Sequence, residues 1–228
     1  RQKADLEKIA TRPLTQAETL KDLGASREDV KGLALSADEK TLYFSTDSDL
    51  RYDYFGSVSR DRFYAYNLEK KELSPLFQGY FTGHRVEAGA SGKTLYLHLF
   101  EKKQNRVYAL PALYDLEAQK LRVIDPELTR FYDIAPSPSE EKIVGIRVDA
   151  DGKKHLEVYT LASRQIQRIA TNIKGIKPFF LDEDRVAYPE FDFEARKTVF
   201  KVITLASGKT HELFEVDGKV RHPAFRNG

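Results

Sequence analysis

The chain of 228 residues contains no cysteine, no methionine and no tryptophan. Without cysteine there is no disulfide framework, no thiolate chemistry and no cysteine-bound zinc, and the compartment stays open, since periplasmic and cytosolic proteins alike can lack Cys. The absence of Met, with Arg1 at the start, reads as a processed or trimmed chain. No apolar run approaches the about 18 residues of a membrane-spanning helix, and no signal-type apolar segment follows Arg1. Charge of one sign is lacking too: 37 Lys and Arg are interspersed with 35 Asp and Glu, for a net charge of +2. That leaves no basic field to attract nucleic acid or an anionic membrane.

What the sequence has is a repeat. Val30 to Thr46 reads as strand, tight turn, strand: Gly32 to Leu35 is small and apolar, Thr41 to Ser45 is β-branched and aromatic, and Ser36 to Lys40 between them is turn chemistry. Aligning later copies on the second strand puts Leu42, Leu95, Ile143 and Val186 in register, at spacings of 53, 48 and 43 residues. That period is blade-sized. A second signature recurs later in each unit, as Asn-Leu-Glu at Asn67, Asp-Leu-Glu at Asp115, and Thr-Leu-Ala-Ser at Thr160 and Thr204. Each unit therefore holds four strands, a to d, joined by hairpins; in the third copy these are Phe131 to Pro136, Lys142 to Val148, His155 to Thr160 and Gln165 to Ala170. The expected fold class is an all-β propeller of four-stranded antiparallel blades over about 30–77, 84–124, 129–170 and 175–214, with a partial fifth start in 220–228. A β-sandwich also uses short strands with regular turns, but it does not repeat one motif at this period. Pro111 falls inside strand c of the second blade and predicts a bulge or a later start there.

These residues resemble the TolB-type propeller repeat, whose hallmark is a Pro-x-Trp-Ser-Pro-Asp-Gly-Lys hairpin before an apolar strand. Ser137 and Pro138 keep its Ser-Pro, Pro178 and Pro223 its leading Pro, and Gly92 and Lys93 its Gly-Lys, while Phe180 and Phe225 stand at the Trp position. No copy is complete. The resemblance implies a periplasmic or cell-envelope propeller that binds a protein. It also admits a competing class, in which such propellers gate substrates for hydrolases or hold a channel metal in carbohydrate lyases.

Residues 1–29 precede the first blade. Thr15 and Glu18 make a capping box and Gly24 a stop, which predicts a short helix over Gln16 to Leu23. Before it, either Lys8 to Leu14 reads as the outer strand of an otherwise missing blade, or Gln2 to Ala10 reads as a helical leader. Strands b and c of that closing blade are missing from the sequence, so its unpaired edges are candidates for association.

Chemistry-bearing motifs fail on spacing. Ser91-Gly-Lys-Thr94 lacks the glycine a phosphate loop needs, since Glu87 stands there, and the same tetrapeptide at Ser207 has Ile203 in that place. Asp149-Ala-Asp-Gly152 begins like a calcium loop but runs into a strand, so it reads as a turn. His84 and His222 sit where some propellers bind a channel metal, yet two histidines without a carboxylate pattern read as ordinary hydrogen-bonding residues, and we expect no metal, no cofactor and no catalytic residue.

Aromatic residues stand out in the b-to-c connections of the first and fourth blades: Arg51, Tyr52, Tyr54 and Phe55 within Thr46 to Arg60, and Phe191 and Phe193 within Pro189 to Thr198. In a propeller the d-to-a connections emerge at the same end, which adds Tyr80, Phe81 and His84. Aromatic and Arg side chains are the usual anchors of protein interfaces. The expectation is a non-catalytic module binding a protein or peptide there; the alternative is that the longer connections fold back onto the domain's own rim.

Overall fold

The structure, a computed structural model, describes the backbone of residues 30–53, 56–103 and 106–220 and the side chains of residues 32–46, 62–77, 86–98 and 110–220. The chain divides into two units, Arg1–Thr129 and Arg130–Gly228. In the first, one antiparallel sheet runs in sequence order through β1 (Val30–Leu35), β2 (Thr41–Asp53), β3 (Gly56–Asn67), β4 (Glu72–Ala88), β5 (Thr94–Lys103), β6 (Arg106–Asp115) and β7 (Lys120–Val123). The long β4 serves twice. It pairs with β3 up to Arg60 opposite Tyr80, then changes partner and pairs with β5 from Phe81 opposite Leu99. The second unit has two separate four-stranded sheets: β8 (Phe131–Pro136), β9 (Lys142–Val148), β10 (Lys154–Thr160) and β11 (Ile166–Thr171), then β12 (Phe179–Phe180), β13 (Arg185–Asp192), β14 (Lys197–Thr204) and β15 (Thr210–Asp217). Every pairing is between sequence neighbours. This is the expected all-β propeller architecture of four-stranded antiparallel blades. No helix occurs among the described residues; the helix expected at Gln16 to Leu23, the strand at Lys8 to Leu14 and the fifth start at His222 lie outside them.

The recurring tetrapeptides have a structural cause. At the a-to-b turns of the first three blades Glu39, Gly92 and Glu140 occupy the same place, two residues before strand b, with φ of 61°, 69° and 58°. The turn closes identically each time, by Ser36 N–H to Thr41 O, Gly89 N–H to Thr94 O and Ser137 N–H to Lys142 O. At the c-to-d turns the side chain of Asn67 or Asp115 accepts the two following turn N–H groups, which explains the Asx residue of the second signature. The leucine that follows it donates its N–H to the neighbouring a-to-b turn: Leu68 to Lys40 O at 2.8 Å, Leu116 to Lys93 O at 2.8 Å, Leu161 to Glu141 O at 2.9 Å and Leu205 to Asp184 O at 2.7 Å. One hydrogen bond thus fastens the two turns together at that end of all four blades.

Three expectations need correction. The connection over Thr46 to Arg60 is a hairpin, with β2 and β3 paired through Leu50 with Ser59, Arg51 with Val58, Tyr52 with Ser57 and Asp53 with Gly56, interrupted by one register shift. A long loop would leave its backbone groups without partners, whereas the two arms satisfy each other. Tyr80, Phe81 and His84 lie within the unbroken β4, so no d-to-a loop exists there. Pro111 makes no bulge. It stays in register opposite His98, and its C=O accepts the N–H of Ile124. A residue's N and O face the same neighbour in an antiparallel ladder, so the missing donor points past the end of β7, where strand pairing has already stopped.

Each unit has its own core between blades. In the first, Phe63 stacks on Phe77 with centroids 4.4 Å apart, and Phe77 meets Tyr114 at 4.3 Å, beside Val86, Leu95, Leu97 and Leu110. In the second, Val144, Ile146, Leu156 and Val158 of the third blade pack with Val186, Tyr188 and Ile203 of the fourth. At about 1.5–3 kcal/mol per fully buried large aliphatic side chain, these seams supply the main cohesion of each unit.

Candidate functional site

The fourth blade positions the best-defined candidate site. β13 and β14 pair without a break from Arg185 opposite Thr204 to Asp192 opposite Lys197, so the expected b-to-c connection contracts to the turn 193–196. Asp192 starts that turn, its Oδ1 accepting the N–H groups of Glu194 and Ala195 at 2.8 and 3.0 Å. Those two donors, and more weakly the charge of Lys174, hold its carboxyl below the usual aspartate value. The turn lifts Phe193 out of the sheet, leaving it 71% exposed. Its ring meets Phe191 edge to face, with centroids 4.9 Å apart.

Beside this hairpin runs a groove of about 450 Å³, lined by Asn172, Lys174, Glu190, Asp192, Val199, Lys201 and Glu212 together with Phe191, Phe193 and Glu194. Its wall is the segment between β11 and β12. Gly175 of that segment lies so close to β13 that a Cβ would sit 2.8 Å from the Tyr188 ring and 2.9 Å from Pro189 O. Only a residue without a side chain permits this approach. The wall is tied to β13 by Ile176 N–H to Pro189 O and by Lys174 N–H to Glu190 Oε1 at 3.1 Å. The other Glu190 oxygen accepts Lys201 Nζ at 2.6 Å. In the core beneath Gly175, burial first and the Glu190 charge second push the Tyr188 phenol up to about 12.

Of the residues singled out in the sequence, the structure brings Phe191 and Phe193 together. Arg51 and Tyr52 lie in the β2–β3 hairpin and Tyr80, Phe81 and His84 in β4; their side chains, and all of Tyr54 and Phe55, lie outside the described residues. The groove residues Asn172, Lys174, Glu190, Lys201 and Glu212 have no signature in the sequence. They come from three strands and a connecting segment, brought together by the pairing of Lys201 with Glu212 across β14 and β15 and by the bonds of Glu190 to Lys174 and Lys201.

The doubtful motifs resolve as turns. Ser91 Oγ accepts Lys93 N–H and Ser207 Oγ accepts Lys209 N–H, so both Ser-Gly-Lys-Thr copies use their polar groups internally. Asp149 caps the b-to-c turn of the third blade through Asp151 and Lys153 N–H and places its second oxygen 3.1 Å from His155 Nε2. Among the described residues no group of three or more His, Asp or Glu is arranged to hold a metal ion, and no helix is long and apolar enough to cross a membrane.

No protein-family model and no curated protein sequence matches the chain. Solved structures do. The chain is similar to tricorn protease (TM-score 0.58, 9% identity, 81% of this chain and 22% of that one). It is similar also to the β-propeller domain of the trilobed protease from Pyrococcus furiosus (TM-score 0.55, 10% identity, 82% of this chain and 57% of that one). TolB from Acinetobacter baumannii aligns at a TM-score of 0.48 and 10% identity, over 86% of this chain and 57% of that one. The chain thus spans little more than half of the TolB and trilobed-protease chains and about a fifth of tricorn protease. At such identities the first two likenesses are of fold alone.

Proposed function

We propose that this chain is a non-catalytic propeller module that holds a protein or peptide partner at the b-to-c ends of its blades, in a cell-envelope setting if the TolB-type resemblance extends to location. The observation that carries this reading is Phe193. It is a large aromatic side chain raised on a turn, 71% exposed, backed by Phe191 and bordered by a groove with polar groups at its rim. An apolar ring held in water beside a preformed cleft is the arrangement that binding hot spots use. We assign the same role, at the b-to-c end of the first blade, to Arg51, Tyr52, Tyr54 and Phe55, together with Tyr80, Phe81 and His84 of β4.

The competing reading, a propeller that serves a hydrolase, draws only on likenesses of fold such as that to tricorn protease, and fold does not carry activity. The deciding experiment compares wild type with the Tyr54→Ala/Phe55→Ala double variant and with Phe193→Ala, by thermal unfolding and by partner pull-down. Binding should weaken by about 2–4 kcal/mol, the range for interface anchors, with the melting temperature unchanged. A large fall in melting temperature with full partner recovery would show instead that these rings pack on the domain's own rim.

A further inference from the structure

We propose that the groove of the fourth blade takes a basic segment: an extended stretch of partner chain that lays an apolar side chain on Phe193 and places a Lys or Arg among Asp192, Glu194 and Glu212. The inference rests on the binding role proposed above and adds the chemical class of the partner.

Size limits the occupant first. A groove of about 450 Å³ falls in the range that accepts a few side chains rather than a folded domain. Charge then selects among segments of that size. The lining carries four carboxylates, Glu190, Asp192, Glu194 and Glu212, against two ammonium groups, Lys174 and Lys201. Glu190 is committed, since one oxygen accepts Lys201 Nζ and the other the N–H of Lys174. That bond also engages Lys201. Asp192, Glu194 and Glu212 remain against the one ammonium of Lys174, whose charge acts on Asp192, so the lining keeps a surplus of two negative charges. Of the three carboxylates, Asp192 uses Oδ1 for its own turn, while Glu194 and Glu212 form no ion pair among the described residues.

The aromatic pair points the same way. Lys219, beyond the end of β15, already holds Nζ 6.0 Å from the Phe191 ring centroid, so one cation of the chain itself uses this π-surface. Phe193, edge to face with Phe191, carries no cation among the described residues. An incoming Lys or Arg meets an open ring and a rim of carboxylates, whereas a phosphate or an acidic peptide meets net repulsion. Individual pairs at such an exposed rim contribute little, on the order of 0–1 kcal/mol; selectivity comes from their sum, and that sum is screened by salt over about 8 Å at physiological strength.

The test is selection from a displayed library of random heptapeptides against the full chain, repeated with Phe193→Ala and with the Glu194→Lys/Glu212→Lys variant, melting temperatures being measured alongside. Enriched peptides should carry Lys or Arg next to an apolar residue. A synthetic copy of one should bind at least fivefold more weakly at 0.5 M than at 0.05 M NaCl, and at least tenfold more weakly to the charge-reversed variant at unchanged melting temperature. Enrichment of neutral or acidic peptides that Phe193→Ala abolishes would overturn the basic class while leaving the binding end intact. No enrichment of any peptide would overturn both.

Discussion

Arg168 donates from both Nε and Nη2 to one oxygen of Glu157, at 2.9 and 2.8 Å, and the carboxylate it holds is 2% exposed. Arg147, on the other side, brings Nε to 3.3 Å from the second oxygen. A charge buried this deeply inside a blade survives only through its partners. Arg168→Ala leaves Glu157 with Arg147 alone and should cost about 3 kcal/mol in urea unfolding. Replacing Glu157 and Arg168 together by Leu should recover most of that, because no buried carboxylate is left to satisfy. A double variant as unstable as the single one would show that packing, not charge, is what Arg168 contributes.

Glycines at two sites should respond differently to alanine. A Cβ at Gly145 would sit 2.6 and 2.7 Å from the Phe131 ring and 3.0 Å from Tyr132 O, and the backbone oxygen cannot yield. Overpacking of this kind costs about 1–3 kcal/mol. At Gly92 the space is open and the only penalty is φ of +69°, a strain that Glu39 and Glu140 already bear at the same turn position. Gly92→Ala should therefore cost about 1 kcal/mol and leave the fold intact. Equal losses at the two sites would contradict this assignment.

Acid should unfold the chain through its turns. Asp38 is held below its ordinary value of 3.8 by the Ser36 hydroxyl, Asp149 by His155, Asp182 by Arg185 and Asp192 by the N–H groups of Ala195 and Glu194. A carboxyl whose folded value lies below its unfolded one contributes stability that is complete above the unfolded value and lost as pH falls through the folded one. The urea midpoint should be flat near about pH 6 and fall steadily below about pH 4. Asp182→Asn should lower the midpoint near neutrality and make the acid side shallower. A midpoint that rises on acidification would refute the assignment.

Phe193→Ala, by contrast, should leave stability within about 0.5 kcal/mol of wild type, as surface substitutions do. Its ring touches Phe191 but closes no core. Gly175→Ala should do the opposite, lowering stability by about 1–3 kcal/mol and widening the groove by pushing its wall off β13. A melting-temperature fall in Phe193→Ala as large as in Gly175→Ala would place Phe193 in the core instead.

The blades were legible where one hairpin carries its own signals. β8 and β9 lie at the residues expected from Phe131 to Pro136 and from Lys142 to Val148, because turn residues flank them and apolar residues fill them. Legibility failed where strand pairing outruns the turn signals. Asp47 to Asp61 is polar enough to read as a loop, yet its two arms satisfy each other, and nothing local to Tyr80 and Phe81 marks a strand that changes partner in mid-course. At the site, aromatic residues pointed to Phe191 and Phe193. The carboxylates around them were not legible, because Glu190 and Glu212 become neighbours only through Lys201, one strand away from each. Glu157 left a weak mark, a carboxylate between Leu156 and Val158 in a strand otherwise apolar; its partner Arg168 left none.

The leucine hydrogen bond that joins the a-to-b and c-to-d turns recurs in all four blades, at the end away from the b-to-c hairpins. This makes each blade self-contained at that end. A duplicated copy brings its own clasp with it, and so needs no matching change in its neighbours to hold its strands in register. The opposite end carries no such constraint. The arms of a b-to-c hairpin can differ in length without disturbing the clasp: β2 and β3 are 13 and 12 residues long where β9 and β10 have 7 each. Blades that share the clasp can therefore differ in what they touch while remaining alike in how they are built.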